Sequence, residues 1–297
     1  MPVAAIRRKA SMKMPLSVRY SLVIILGILS CQGYARTMGD LEAVHMAAMQ
    51  RTLVMQMSRH HLQLGAGLQQ AGGQAALEQA VGEYERLLGE LAHNATTEAL
   101  QERVAKVKQR WQKFRPLVKA GFDPTRLEQL LFNADSLLVM NDLLLRDWMA
   151  RLPYAVGKQM NLAQLQSMLA ERMATLYLAQ SLQPSPQQES LHLESDWLAE
   201  ELQHAVAAFD AAMVELGDAT QWAVDHNLMT QLHSNWDYAR FSLNQFNQDQ
   251  YVPLVVSATL ESMTEQTRQL ATAYQIRDRI ALSGGLMEAG LAANLPN

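Results

Sequence analysis

The chain has 297 residues, 49% of them hydrophobic and 18% charged, with 25 Lys and Arg against 29 Asp and Glu. This supports a packed core of one large or two ordinary domains and excludes a chain disordered by composition. Abundant Leu, Ala and Gln with 17 Met, beside only six Phe, eight Tyr and five Trp, predict an all-α protein.

Residues 1–35 read as an export signal rather than as part of the fold. Arg7, Arg8, Lys9, Lys13 and Arg19 precede the apolar run YSLVIILGILSC at 20–31, and the first acidic residue is Asp40. About a dozen apolar residues suit a secretory signal, whereas a spanning helix needs roughly 18 or more. Gly33-Tyr34-Ala35 offers a cleavage site before Arg36, and Cys31 offers a lipid anchor instead; both routes stay open, as does a start at Met12 or Met14. Cleavage removes five of the 25 basic residues and no acidic one, leaving 20 against 29. That acidic balance argues against nucleic acid as a partner. A single cysteine also excludes an internal disulfide.

The first predicted helix covers 40–68, with a stripe of Met46, Met49, Leu53 and Met57. Its second face holds Val44, Ala47, Ala48, Arg51, Met55, Ser58 and Leu62, and the glycines at 65, 67, 72 and 73 end it. A second helix spans about 75–93. Thr96 or Thr97 caps the third, with Glu98 in its first turn, and Gly121 closes it. Asp123-Pro124 starts a fourth, which runs to about 152 before Pro153.

Residues 160–181 form the next helix, with Leu162, Leu165, Leu169, Met173 and Leu176 on one side. The other side carries Met160, Ala163, Gln164, Ser167, Glu171, Ala174 and Leu178, small and polar enough for another backbone to approach. A helix with two usable faces sits between two bodies. Pro184-Ser185-Pro186 then marks a loop, a long helix starts near Glu189, and the last helix covers about 253–281 before Gly284-Gly285.

The stripes and second faces of the first and fifth helices coincide when 116 is added. EYERLLGEL at 83–91 corresponds to AFDAAMVEL at 208–216, and Trp111 to Trp236, each 125 residues on. The expectation is two tandem antiparallel four-helix bundles, 36–152 and 153–297, packed through their first helices after the signal segment.

Arg51 is the most informative residue. Small neighbours at Ala47 and Ala48 would let its guanidinium reach an interhelical seam, where a planar fork of donors suits a small oxyanion or a carboxylate. The competing reading is an ion pair with Glu171, one turn beyond Ser167, the counterpart of Arg51. Met46, Met49, Met55 and Met57 near His45, His60 and His61 raise soft-metal binding, but three of these methionines lie on the core stripe, so core packing is the preferred reading. His60 and His61 diverge by about 100°, and the spacing of His226 and His233 suits a surface pair. No metal or cofactor is expected. There is no phosphate loop, nucleophile elbow or reactive thiol, so the chain does not read as an enzyme.

Asn161, Leu162, Ala163, Gln166, Met168, Leu169, Arg172, Met173 and Ala174 stand at matching positions of a motif written I-N-L-A-G-x-Q-R-M-L-S-Q-R-M-A, and the first copy keeps Ala47, Gln50, Arg51, Leu53 and Met57. The stretch resembles the opening of the PilJ-type domain, the sensor region of type IV pili chemotaxis transducers, which is similar to the sensor region of NarX-type nitrate/nitrite kinases. The resemblance implies a periplasmic four-helix sensor module whose first motif arginines hold nitrate or a similar anion at a dimer seam. Arg51 keeps that arginine and Ser167 replaces it, while Gln56 replaces the second and Arg172 keeps it. Glu171 stands for the usual glutamine. A symmetric two-arginine clamp therefore cannot form within one chain. The expected ligand-binding set is Arg51, Ala47, Ala48, Met55, Ser167 and Glu171. The expected role is a sensor module without an output domain, binding a small anion or docking onto a membrane signalling protein; the alternative is a helical scaffold with no small ligand.

Overall fold

The computed structural model describes residues 16–68, 72–153, 155–182, 195–219, 223–244 and 252–293, with side chains described from 39 to 284 apart from the helix ends 195–196, 218–219 and 223–225. Among them the chain is all-α: α1 Leu16–Gly65, α2 Gly73–Asn94, α3 Glu98–Lys119, α4 Leu127–Met149, α5 Lys158–Ser181, α6 Ser195–Ala219, α7 Ala223–Asn244 and α8 Pro253–Ala293. The cleavage site, Cys31, the loop at 184–186 and the helix start near 189 lie outside the described side chains.

Local signals account for most of the boundaries. Thr97 caps α3 by accepting from the Leu100 N–H, and Asp123 accepts from Thr125 N–H to open a single 3-10 turn that leads into α4. Gly157, at φ 79°, begins α5, and its N–H donates to Asp278 at 2.8 Å.

Two boundaries depart from expectation. α1 runs unbroken from residue 16, so the expected start at 40 is not a helix boundary. α8 continues through Gly284-Gly285 to Ala293, because two glycines cost only about 1 kcal/mol each among good helix formers. No helix among the described residues is long and apolar enough to cross a membrane.

α1 and α5 form the centre. α5 buries residues on every side, including Gln164, Gln166, Ser167 and Glu171 among its apolar ones, and α1 likewise buries Gln50, Arg51, Ser58 and Arg59. A helix buried all round sits between layers. α1 packs on α2, α4, α5 and, less closely, α8, while α5 packs on α1, α6 and α8. The outer helices α3 and α7 complete the layers against α4 and α8. Cross-links fix the directions. Arg51–Asn161 and Arg59–Glu171 keep nearly the same residue offset, so α1 and α5 run parallel. Arg151–Asp40 and Arg51–Asp142 set α4 antiparallel to α1, and Gln63–Ser257 with Gln275–Glu42 do the same for α8.

Several contacts recur along the chain. Tyr84 stacks on Trp111 at 4.4 Å and Phe209 meets Trp236 at 4.5 Å, 125 residues on. At the same spacing, Trp111 and Arg115 donate to Glu85, and Trp236 donates to Asp210 with Arg240 as its ion-pair partner. α8 repeats α4 at an offset of 126. Leu130, Ala134, Asn141, Leu144 and Trp148 are buried, as are Val256, Leu260, Thr267, Leu270 and Tyr274, and the Arg151 guanidinium over Trp148 recurs as Arg277 over Tyr274.

Candidate functional site

The seam between α1 and α5 carries the buried charge. Arg59 donates from Nε to Glu171 Oε2 at 2.6 Å, and both side chains are 1% exposed. Gln63 accepts from Arg59 and donates to Ser257 of α8, while Glu261 of α8 lies 3.5 Å from the guanidinium. Burial opposes the charge on Arg59, but Glu171 and Glu261 outweigh it and raise its pKa. Exchanging the two helices at the 116 offset relates this contact to a neutral one: Thr175 replaces Arg59, Met55 replaces Glu171, and the Thr175 hydroxyl donates to the Met55 carbonyl at 3.3 Å.

Arg51 lies elsewhere on the seam, where α1 meets α4 and α5, and is 4% exposed. Nη1 donates to Asp142 at 3.1 Å and Nη2 to Asn161 at 2.7 Å. Its Nε is buried without a hydrogen-bond partner among the described residues. Burial lowers the Arg51 pKa, with Asp142 acting the other way. Arg146 reaches the second oxygen of Asp142 at 2.7 Å. These three side chains stand at one end of an open groove of about 370 Å³, whose walls are otherwise apolar residues of α4 and α5. Two guanidiniums against one carboxylate leave the polar end positive.

The six expected residues do not form one site. Arg51 lines the groove. Ala47, Ala48 and Met55 are core residues of the central pair. Ser167 faces α8, sharing a 2.7 Å hydrogen bond with Thr267. Glu171 holds Arg59, so the suggested Arg51–Glu171 pair is not formed. The reason is register: an arginine on a helix leans back toward its N-terminus by about a turn, so Arg59, not Arg51, reaches the level where Met55 faces Glu171. Periodicity does not single out Asp142, Arg146, Asn161, Arg59 or Gln63 as polar partners. Asn161 alone carries a signal, as a residue of the stretch that resembles the PilJ-type motif.

Arg172, the other motif arginine, binds Asp135 of α4 and Glu201 of α6, so it fastens α5 between its neighbours rather than reaching a ligand. Met46, Met55 and Met57 are buried in the core, and no group of three His, Cys, Asp or Glu suited to a metal ion occurs among the described residues.

No protein-family model, curated protein or solved structure matches the chain. Function is therefore inferred from residues and geometry.

Proposed function

We propose that the chain is a non-catalytic, sensor-type ligand-binding module of the periplasm, built from two diverged copies of a four-helix unit and taking a small anion at Arg51. The contacts recurring at 125 and 126 residues support the two-copy reading, as does the exchange of Arg59–Glu171 for Thr175–Met55 across the central pair. The basic n-region and apolar run before Asp40 support export, with Cys31 as a candidate lipid anchor. The PilJ-like motif around Asn161 and Arg51 supports a link to chemotaxis, type IV pili or two-component signalling through a membrane partner.

One observation carries the anion reading. Arg51 is buried at the end of a groove, only part of its fork is engaged, and Arg146 leaves the surroundings cationic. A buried guanidinium with unengaged N–H groups, at the end of an open groove, is arranged to accept an oxygen ligand. Nitrate, nitrite and acetate titrated calorimetrically into the purified chain, and into Arg51→Gln, test this. Saturable heat from the parent that Arg51→Gln lacks supports the proposal; no heat with any of the three removes it.

A second reading, a helical docking scaffold without a small ligand, is favoured by the internal neutralisation of both buried arginines, Arg51 by Asp142 and Arg59 by Glu171. A null titration together with a stable partner retained from membrane extracts would select it.

A further inference from the structure

The apolar wall of the Arg51 groove is not something the fold requires. On α4, Val139 is 56% exposed and Leu143 continues its line one turn on, both lining the groove. At the 126 offset the same positions of α8 are Glu265 and Gln269, both on its solvent side. The α5 wall, Leu165 and Met168, corresponds at the 116 offset to Met49 and Thr52. Glu265, Gln269 and Thr52 are thus polar where their counterparts Val139, Leu143 and Met168 are apolar, while Met49 stays apolar like Leu165.

The flanking helices differ in the same sense. α8 is drawn onto α1 by Gln275 and Arg279 on Glu42, Gln63 on Ser257 and Arg59 near Glu261. α4 is tied to α5 by Arg172 on Asp135, at a level beyond the groove, which leaves the groove itself open. Its volume falls in the range of small-molecule pockets, roughly 300–1,000 Å³. Exposed apolar residues at positions where the sister copy is polar need a partner to cover them.

We infer that the ligand of this groove is an organic carboxylate with an apolar body, its head on Arg51 and Arg146 and its hydrocarbon along Val139, Leu143, Leu165 and Met168. This rests on the anion reading above and narrows its ligand class. A bare inorganic anion satisfies the charged end and leaves the wall exposed. An acid of five or six carbons satisfies both, because each methylene laid on the wall leaves water. Asp142 orients the head by holding one edge of each arginine, so the carboxylate meets the remaining terminal N–H groups of Arg51 and Arg146.

The test is calorimetric titration of the purified chain with hexanoate, phenylacetate, acetate, nitrate and 1-hexanol. Hexanoate and phenylacetate are expected to bind at least tenfold tighter than acetate or nitrate, and 1-hexanol, lacking the head, far more weakly than hexanoate. Val139→Glu, which installs the residue of the sister position at an exposed site, is expected to weaken hexanoate about tenfold while the melting temperature measured by circular dichroism stays that of the parent. Acetate or nitrate binding as tightly as hexanoate, dependent on Arg51, would overturn the ligand class and leave the anion reading standing. No binding by any acid overturns both. Hexanoate binding untouched by Val139→Glu places it elsewhere and overturns the inference. So does a concentration-dependent dimer that Val139→Glu disperses, since a second copy would then cover the wall.

Discussion

Arg59 of α1 and Glu171 of α5 meet at 2.6 Å with each side chain 1% exposed, on the seam between two parallel helices that the rest of the chain surrounds. Removing two charges from water costs several kcal/mol each, and their attraction with the hydrogen bonds of Gln63 offsets that cost. Breaking one side of the pair is therefore worse than replacing both. Glu171→Gln is expected to lower unfolding stability by about 3 kcal/mol or more, and Arg59→Met with Glu171→Leu to recover most of it. Urea unfolding of Arg59→Met, of Glu171→Leu and of the double variant, beside Glu171→Gln, measures this. A double variant as unstable as the sum of the singles would contradict it.

The recurring contacts supply a second prediction. Tyr84, fully buried, donates to Asn141 at 3.2 Å; its counterparts 125 and 126 residues on are Phe209 and Thr267, which need no such bond. Tyr84→Phe leaves the Asn141 oxygen buried without that donor and is expected to cost about 1–2 kcal/mol. Adding Asn141→Thr reproduces the pair of the second half, because Thr267 donates to the carbonyl four residues back. Thermal unfolding should show the double variant close to the parent. An unimproved double variant would show that the two halves do not share interchangeable packing.

The helices, and the residues whose contacts recur along the chain, are legible in the sequence because caps and apolar stripes are local. Thr97, Asp123-Pro124 and Trp111 with Trp236 are all readable from the residues alone, and so is the two-sided burial of α5. The beginning of α1 is not, because the apolar run before Asp40 and the amphipathic stretch after it share the same helical propensity, and α1 continues unbroken between them. The site is half legible. Burial of Arg51 follows from its small neighbours, but its partners Asp142 and Asn161 come from helices about 90 and 110 residues away. Which arginine meets Glu171 depends on the register of α1 against α5 and on the backward lean of helical side chains, neither of which a periodicity reveals.

Burial also makes the fold sensitive to acid. It lowers the His60 pKa from 6.5 to about 4, with the nearby Arg59 adding to the effect, and lowers those of His45 and His61 as well. Between these two values the unfolded chain holds the His60 proton and the folded chain does not, so acid favours unfolding. The stabilisation is fully present above pH 6.5 and is lost as the pH falls through the window down to about 4, with His60 alone accounting for roughly 3 kcal/mol. Urea midpoints measured between pH 7 and pH 4 should fall for the parent and fall less for His60→Gln. Equal slopes for both would contradict the assignment.

Gly157 makes a smaller, local prediction. Its φ of 79° is unfavourable for any residue with a Cβ, and an added Cβ would lie 3.2 Å from Leu152 Cδ1. Gly157→Ala is expected to lower stability by about 1–2 kcal/mol. Asp278→Ala, which removes the acceptor of the Gly157 N–H at the start of α5, should cost about 1 kcal/mol by a different route. Chemical denaturation of each variant separates the two contributions.

The most direct test of the central claim is the side-chain Nε–Hε resonance of Arg51, followed by nuclear magnetic resonance during titration with acetate and hexanoate and assigned by its loss in Arg51→Lys. That Nε has no hydrogen-bond partner among the described residues, whereas the Arg59 Nε is held by Glu171. The expected result is a saturable shift of the Arg51 resonance with the Arg59 resonance unmoved. An Arg51 resonance that stays in place through both titrations would contradict the anion site.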